Sequence, residues 1–198
     1  VWDNFPIPKY NKKFYESNDY IACISKVTHA VVKGATDKVE TSYVPHAVNS
    51  EIFNALEDKG ALKELREKHL GSDDKFVIMW NNRNAKRKHT GTLITWYKSF
   101  LDQLSEEESK KCVLILHTDP KDPYGQDLQT MYNMADVTVN ISDAEGFGLG
   151  TLESLSCGTP IIVTMTGGLQ EQVTDGENWF GVGIEPCSKA LIGSQQVP

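Results

Sequence analysis

From Lys75 onward the sequence alternates short, continuous apolar runs with segments of helical period, and no other feature narrows the possible folds as much. The runs "FVIMWNN", "CVLILHT", "VTVNIS" and "PIIVT" carry apolar residues at adjacent positions, so strands built from them are apolar on both faces. Between them, "TGTLITWYKSFLDQL" places Leu93, Ile94, Tyr97, Phe100, Leu101 and Leu104 on one helical stripe, and "DLQTMYNMA" and "GTLESLSCG" read as further helices. This alternation predicts an α/β fold, a parallel sheet covered by helices on both faces. Ligands of such sheets bind beyond the carboxyl ends of the strands. The expected site wall is therefore "NNRNAKRKH", "HTDPKD", "SDAEGFG" and "TMTGGLQEQ".

Upstream, "DYIACIS" reads as a buried strand, "KVTHAVVKGA" as an amphipathic helix ending at Gly34, and "VETSYV" as a strand stopped by Pro45. "PHAVNSEIFN" has the composition of a hinge, and "ALKELREKHLG" of a helix closed by Gly71. At 198 residues the chain can form one domain, or one domain and part of another. With 39% hydrophobic and 24% charged residues it reads as a soluble globular protein, and no apolar run approaches the roughly 18 residues of a membrane span. The net charge of −7 argues against nucleic acid as a partner, because a phosphate backbone is met by clustered Lys and Arg. Cys23, Cys112, Cys157 and Cys187 are widely spaced, which argues against zinc and for a reduced, cytoplasmic setting. The start has neither an initiator Met nor a signal-peptide pattern, so the chain reads as cut from a longer one.

The segment "NISDAEGFGLGTLESLSCGTPIIV" carries the chemistry. A dinucleotide loop would need a third glycine where Thr151 stands and an acid after the next strand, and "PIIVTMTGG" has none. A nucleoside-triphosphate loop would need Gly-Lys-Ser or Gly-Lys-Thr, which the chain lacks. What stands there is Glu145 and Glu153 with seven residues between them, one before the glycine turn and one inside the helix that follows. Backbone N–H groups at a helix start attract an anion, glycines let it approach, and carboxylates suit hydroxyl groups. A phosphorylated, polyhydroxylated ligand such as a nucleotide-sugar meets these demands. Arg83 and Lys88, after the strand "FVIMWNN", supply two cations that can face a diphosphate from the opposite side.

With "EGFGLGTLESLSCGTPIIVTMTGGLQEQVTDGENWFGV", "NRNAKRK" and "YVPHAVNSEIF", the chain resembles retaining glycosyltransferases of family 4, which have the two-domain GT-B fold. The resemblance implies that residues 1–46 are the tail of the N-terminal acceptor-binding domain and the hinge. Residues 47–198 would be the C-terminal, Rossmann-like donor-binding domain, itself cut short. It implies transfer of a sugar from a nucleotide-diphospho-sugar to an acceptor hydroxyl with retention of configuration. Arg83 and Lys88 would hold the donor diphosphate, Glu145 the sugar hydroxyls and Glu153 the ribose. Gly146, Phe147, Gly148, Leu149 and Thr151 would line the donor, with His117, Gly167 and Gly168 as further donor contacts. Neither cofactor nor metal is expected. The acceptor (saccharide, lipid or protein) stays open, as does peripheral membrane association through the missing N-terminal domain.

The chain departs from the family in two places: a connection shortened near Leu128 and Gln129, and an end at "IGSQQVP" before the family's closing helices. The isolated piece is accordingly expected to be inactive. A non-catalytic nucleotide-sugar-binding module, or an epimerase or phosphorylase of the same fold, are the alternatives. His46 reads as a hinge residue, and Asp136 and Asp175 as turn and helix-end residues rather than catalytic acids. His117 could meet the donor or cap its strand, and Thr166, Gly167 and Gly168 could approach the ligand or simply join strand to helix.

Overall fold

The computed structural model describes residues 11–83, 85–118 and 128–186. A first unit runs through α1 (Lys12–Tyr15), β1 (Tyr20–Cys23), α2 (Lys26–Ala35) and β2 (Glu40–Tyr43). Strands β1 and β2 form a parallel pair. Ser25 starts α2 by accepting the Thr28 N–H at 3.1 Å. The helix then buries Val32 and Ala35 against Tyr15, Cys23 and Val39.

The second unit continues with α3 (Lys59–Leu70), β3 (Phe76–Asn81), α4 (Thr90–Leu101), α5 (Glu106–Lys111) and β4 (Cys112–His117). It closes with α6 (Leu128–Met134), β5 (Val137–Asn140), α7 (Leu149–Ser156), β6 (Ile161–Thr164), α8 (Gln170–Val173) and β7 (Gly181–Ile184). Five strands make one sheet in the order β4-β3-β5-β6-β7. Every neighbouring pair in it is parallel. The expected parallel sheet is therefore present. Val77 and Met79 pack on one of its faces with Tyr132 and Ala135. Trp80, Val139 and Ile141 pack on the other with Leu93.

The chain leaves β3 outward to β4 and returns past it to β5, so the connections following β3 and β5 diverge in opposite directions. A crevice opens between them at the carboxyl ends of these two strands, where open α/β sheets bind ligands. Arg66 of α3 fixes the opposite end. It donates to the carbonyl oxygens of Met134 at 2.5 Å and Asp73 at 3.3 Å, and lies 3.4 Å from the Asp136 carboxylate. Asp136 also accepts the Val77 N–H at 2.7 Å, a structural role consistent with its turn position.

Four details differ from the sequence expectation. Strand β1, expected to be buried, exposes Tyr20 and Ala22 and buries only Cys23, because it belongs to a two-stranded sheet among the described residues. Ile94 is 47% exposed rather than part of the buried stripe. It sits about 100° around α4 from the buried Leu93, and β4 is the outermost described strand on that side. Helix α5 was not expected, although Ser105 and Glu108 form a capping box at its start. Strand β7 was not expected either, because two of its four residues are glycine and its pairing with β6 rests on backbone bonds. Most of "HTDPKD", the connection just before Leu128, Cys187 and "IGSQQVP" lie outside the described residues.

Candidate functional site

The glycine turn is built by residues that the ligand need not touch. Gly148 has φ 92°, in the left-handed region, and a Cβ there would come within 2.6 Å of the Leu169 side chain. Gln172, buried on α8, donates its amide N–H groups to the carbonyl oxygens of Phe147 at 2.7 Å and Gly148 at 3.1 Å. The Thr151 hydroxyl stands 2.7 Å from the Gly148 carbonyl and 2.5 Å from Gln172 Oε1. In a trans peptide the N–H points opposite to the carbonyl. With both carbonyls turned to Gln172, the N–H groups of Gly148 and Leu149 face away from it, while those of Thr151 and Leu152 donate to the Gly148 carbonyl at 3.2 and 3.4 Å. Gly168 donates its N–H to the Glu145 carbonyl at 3.0 Å, and a Cβ on it would lie 2.6 Å from Phe147 Cα. The two turns are therefore packed backbone to backbone.

Lys88 sits on a 3-10 turn, Lys86–Lys88, that follows β3. Its ammonium is buried and donates to Glu145 Oε1 at 2.7 Å. Burial holds the Lys88 pKa below the usual lysine range, and the Glu145 carboxylate works against that shift. The same two loops are joined by the Asp143 N–H donating to the Arg87 carbonyl at 2.9 Å and by His89 Nε2 lying 2.6 Å from Asp143 Oδ1. Arg83 stands exposed on the loop from β3, with no side-chain partner among the described residues. Lys88 and Glu145, expected to meet the donor diphosphate and sugar, are thus in contact with each other, and Arg83 is open to solvent.

From the carboxyl ends of β4 and β3 a chain of side chains runs to α6 and α7. His117 Nδ1 lies 2.8 Å from Asn81 Oδ1, Asn81 Nδ2 donates to the Tyr132 hydroxyl at 2.7 Å, and that hydroxyl donates to Glu153 Oε2 at 3.2 Å. Burial raises the pKa of Glu153, and Tyr132 opposes it. Burial also raises that of Tyr132, so its hydroxyl keeps its proton.

His117 and Glu153 were expected in the site, whereas Asn81, Tyr132 and Gln172 were not singled out. Asn81 and Gln172 lay inside expected wall segments, but only tertiary contact reveals their partners. Thr151, expected to line the donor, is 2% exposed and its hydroxyl is held by the turn itself, so it supports the turn from behind. Gly167 and Gly168 are likewise buried, and Phe147 turns its ring to His46, centroids 5.2 Å apart. Asp175 holds the turn it was assigned to: the N–H groups of Glu177 and Asn178 and the Asn178 side chain bring its pKa down to about 2.

A cavity of about 450 Å³ lies between the hinge residues Pro45 and His46 and the helices α7 and α8, bounded by Phe147, Leu152, Leu155 and Gln172. It does not include Arg83, Lys88, Glu145 or Glu153. Among the described residues no three of His, Cys, Asp and Glu converge as metal ligands, and no helix is long and apolar enough to cross a membrane.

Comparison with known proteins bears on the fold. Residues 120–192 match the family described as "Glycosyl transferases group 1". The D-inositol 3-phosphate glycosyltransferase of Thermomonospora curvata is 49% identical over 66 residues, 33% of this chain and 15% of the relative. That of Streptosporangium roseum is 50% identical over 72 residues, 36% of this chain and 17% of the relative. Among solved structures, Anabaena HepE in complex with UDP-glucose aligns at a TM-score of 0.69 and 16% identity, over 91% of this chain and 55% of that one. The sucrose-phosphate synthase of Thermosynechococcus elongatus aligns at 0.67 and 20%, over 90% and 48%. The chain thus has the α/β architecture of GT-B glycosyltransferases. It spans about half the length of these solved structures, and its matched stretches span about a sixth of the curated relatives.

Proposed function

We propose that this chain is the donor-binding part of a retaining glycosyltransferase of family 4 that uses a nucleotide-diphospho-sugar. The observation that carries this reading is the crevice itself. The outward N–H groups of the glycine turn stand at the start of α7, the Lys88–Glu145 pair joins the loops that follow β3 and β5, and Glu153 lies along α7 from them. A diphosphate placed at the start of α7 would meet the turn N–H groups, with Arg83 free to close on it from the β3 loop. Glu145 would take the sugar hydroxyls and Glu153 those of the ribose.

In the reaction, the bond from the anomeric carbon to the diphosphate oxygen breaks as the acceptor oxygen bonds to the same carbon on the same face. The acceptor proton passes to the leaving phosphate oxygen. The charge that grows on that phosphate is the quantity to be stabilised, and fixed donors aimed at it lower the barrier. Arg83, Lys88 and the N–H groups at the start of α7 are those donors. Glu145 stays paired with Lys88 and needs no role as a nucleophile. Neither metal nor cofactor enters this scheme.

Calorimetric titration with UDP, GDP and ADP tests the reading, UDP first because the HepE structures hold UDP or UDP-glucose. One nucleotide is expected to bind selectively. Arg83→Ala and Glu153→Ala should each weaken it by about 10- to 150-fold, the loss of one charge-assisted contact. A folded protein that binds none of the three overturns the proposal, and binding without transfer by a chain that also carries an acceptor-binding half reduces it to a binding module.

A further inference from the structure

We infer that Tyr132 and Asn81 are positioning residues for Glu153, through a hydrogen-bond chain that runs in one direction from His117 to the carboxylate. The inference rests on the donor-site reading above and adds to it residues that never touch the ligand.

The direction follows from counting protons. An ionised Glu153 can only accept, so the single proton of the Tyr132 hydroxyl, 3.2 Å from Oε2, goes to it. The tyrosine oxygen must then accept at its other contact, and Asn81 supplies an N–H from Nδ2 at 2.7 Å. This fixes the amide orientation of Asn81 and points its Oδ1 at His117 Nδ1, 2.8 Å away. The imidazole therefore carries a proton on Nδ1 and donates it to Asn81, and its Nε2 has no partner among the described residues. Any reversal of one link demands reversal of all, and that requires a proton on Glu153.

The surroundings make the chain stiff. Tyr132 is fully buried in the cluster around Val77 and Met79, so its ring cannot swing. A Cβ on Gly150 would come within 3.0 Å of the Tyr132 hydroxyl and 3.5 Å of Asn81 Nδ2, so the first turn of α7 passes directly over the two middle links. Tyr132 thereby occupies Oε2 of Glu153. Oε1, without a partner among the described residues, is left to accept from a ribose hydroxyl.

The test uses whichever of UDP, GDP and ADP binds tightest, together with its 2′,3′-dideoxy form, titrated calorimetrically into the 198-residue chain across pH. Tyr132→Phe should weaken the ribonucleotide about tenfold, as expected for losing a hydrogen bond to a charged group. It should leave the dideoxy form unchanged. The acid limb of ribonucleotide binding should move to higher pH, because the contact that opposes protonation of Glu153 is gone. Asn81→Ala, which breaks the chain one link earlier, should act in the same direction, and the Tyr132→Phe effect should vanish in a Glu153→Ala background. Equal loss for both nucleotides, an unmoved acid limb, or persistence of the effect without Glu153 would mean that Tyr132 is only a core residue. If the folded wild type binds no nucleotide, the donor-site reading fails and takes this inference with it. If it binds and Tyr132→Phe binds equally well, this inference alone is overturned.

Discussion

At the scale of single residues, the two carboxylates of the site meet opposite conditions. Glu145 lies against a buried ammonium, so Glu145→Gln leaves the Lys88 charge without its counter-ion. A loss of about 3 kcal/mol is expected in urea denaturation at neutral pH. Glu153 has no cation beside it among the described residues, and burial raises its pKa in the folded state. A carboxyl raised on folding gives its full stabilisation below the unfolded pKa, and that contribution is lost as pH climbs through the folded value. Glu153→Gln removes this loss, so the ligand-free variant should melt higher than wild type at pH 7 and show a flatter pH dependence on the acid side, while its nucleotide affinity falls. A lower melting temperature at pH 7 would contradict the assignment of burial as the dominant cause. Glu145 and Glu153 stand out in the sequence because they flank a glycine turn locally, and Arg83 and Lys88 because they follow an apolar strand in a loop expected on the site wall. Tyr132 and Gln172 were not, since a tyrosine or glutamine on a helix gives no sign of the side chains and carbonyls it will meet across the sheet.

At the scale of elements, strands β3 to β6 and the helices between them were legible because continuous apolar runs and helical stripes are strong periodic signals. Strand β7 was hidden by its glycines. Helix α5 left a sign in the Ser105 and Glu108 spacing, but it has no apolar face to accompany that sign. The short turn between β6 and α8 shows how such elements serve the site. Leu169 is fully buried with Ile161, Val163 and Val173 and packs against Gly148 at the start of α7. Leu169→Ala should cost about 2–5 kcal/mol by denaturation, the usual range for emptying such a position. It should also weaken nucleotide binding beyond the effect of an equally destabilising change in the β1–α2 unit, because the space it opens lies directly under the turn.

At the scale of the whole molecule, the two sheets are joined at Glu171. Its carboxylate accepts the Lys26 N–H at the start of α2 at 3.0 Å and the Tyr43 hydroxyl at 2.9 Å. Burial and then Glu171 push the Tyr43 pKa up to about 12, so the hydroxyl remains a donor at neutral pH. Glu171→Ala should speed amide hydrogen exchange in β2 and the hinge while leaving β3 and β5 protected, as expected when a contact between units is removed and the sheet core is kept. Uniform protection in wild type and variant would show that the apolar contacts suffice. The next residue along the chain is Gln172, which holds the carbonyls of the glycine turn. One peptide bond therefore separates the grip on the first sheet from the grip on the anion cradle, and α8 works as a short lever between them. A rotation of one sheet against the other would pull on Tyr43 at one end of this link and on the turn carbonyls at the other, which ties the angle between the sheets to the aim of the N–H groups.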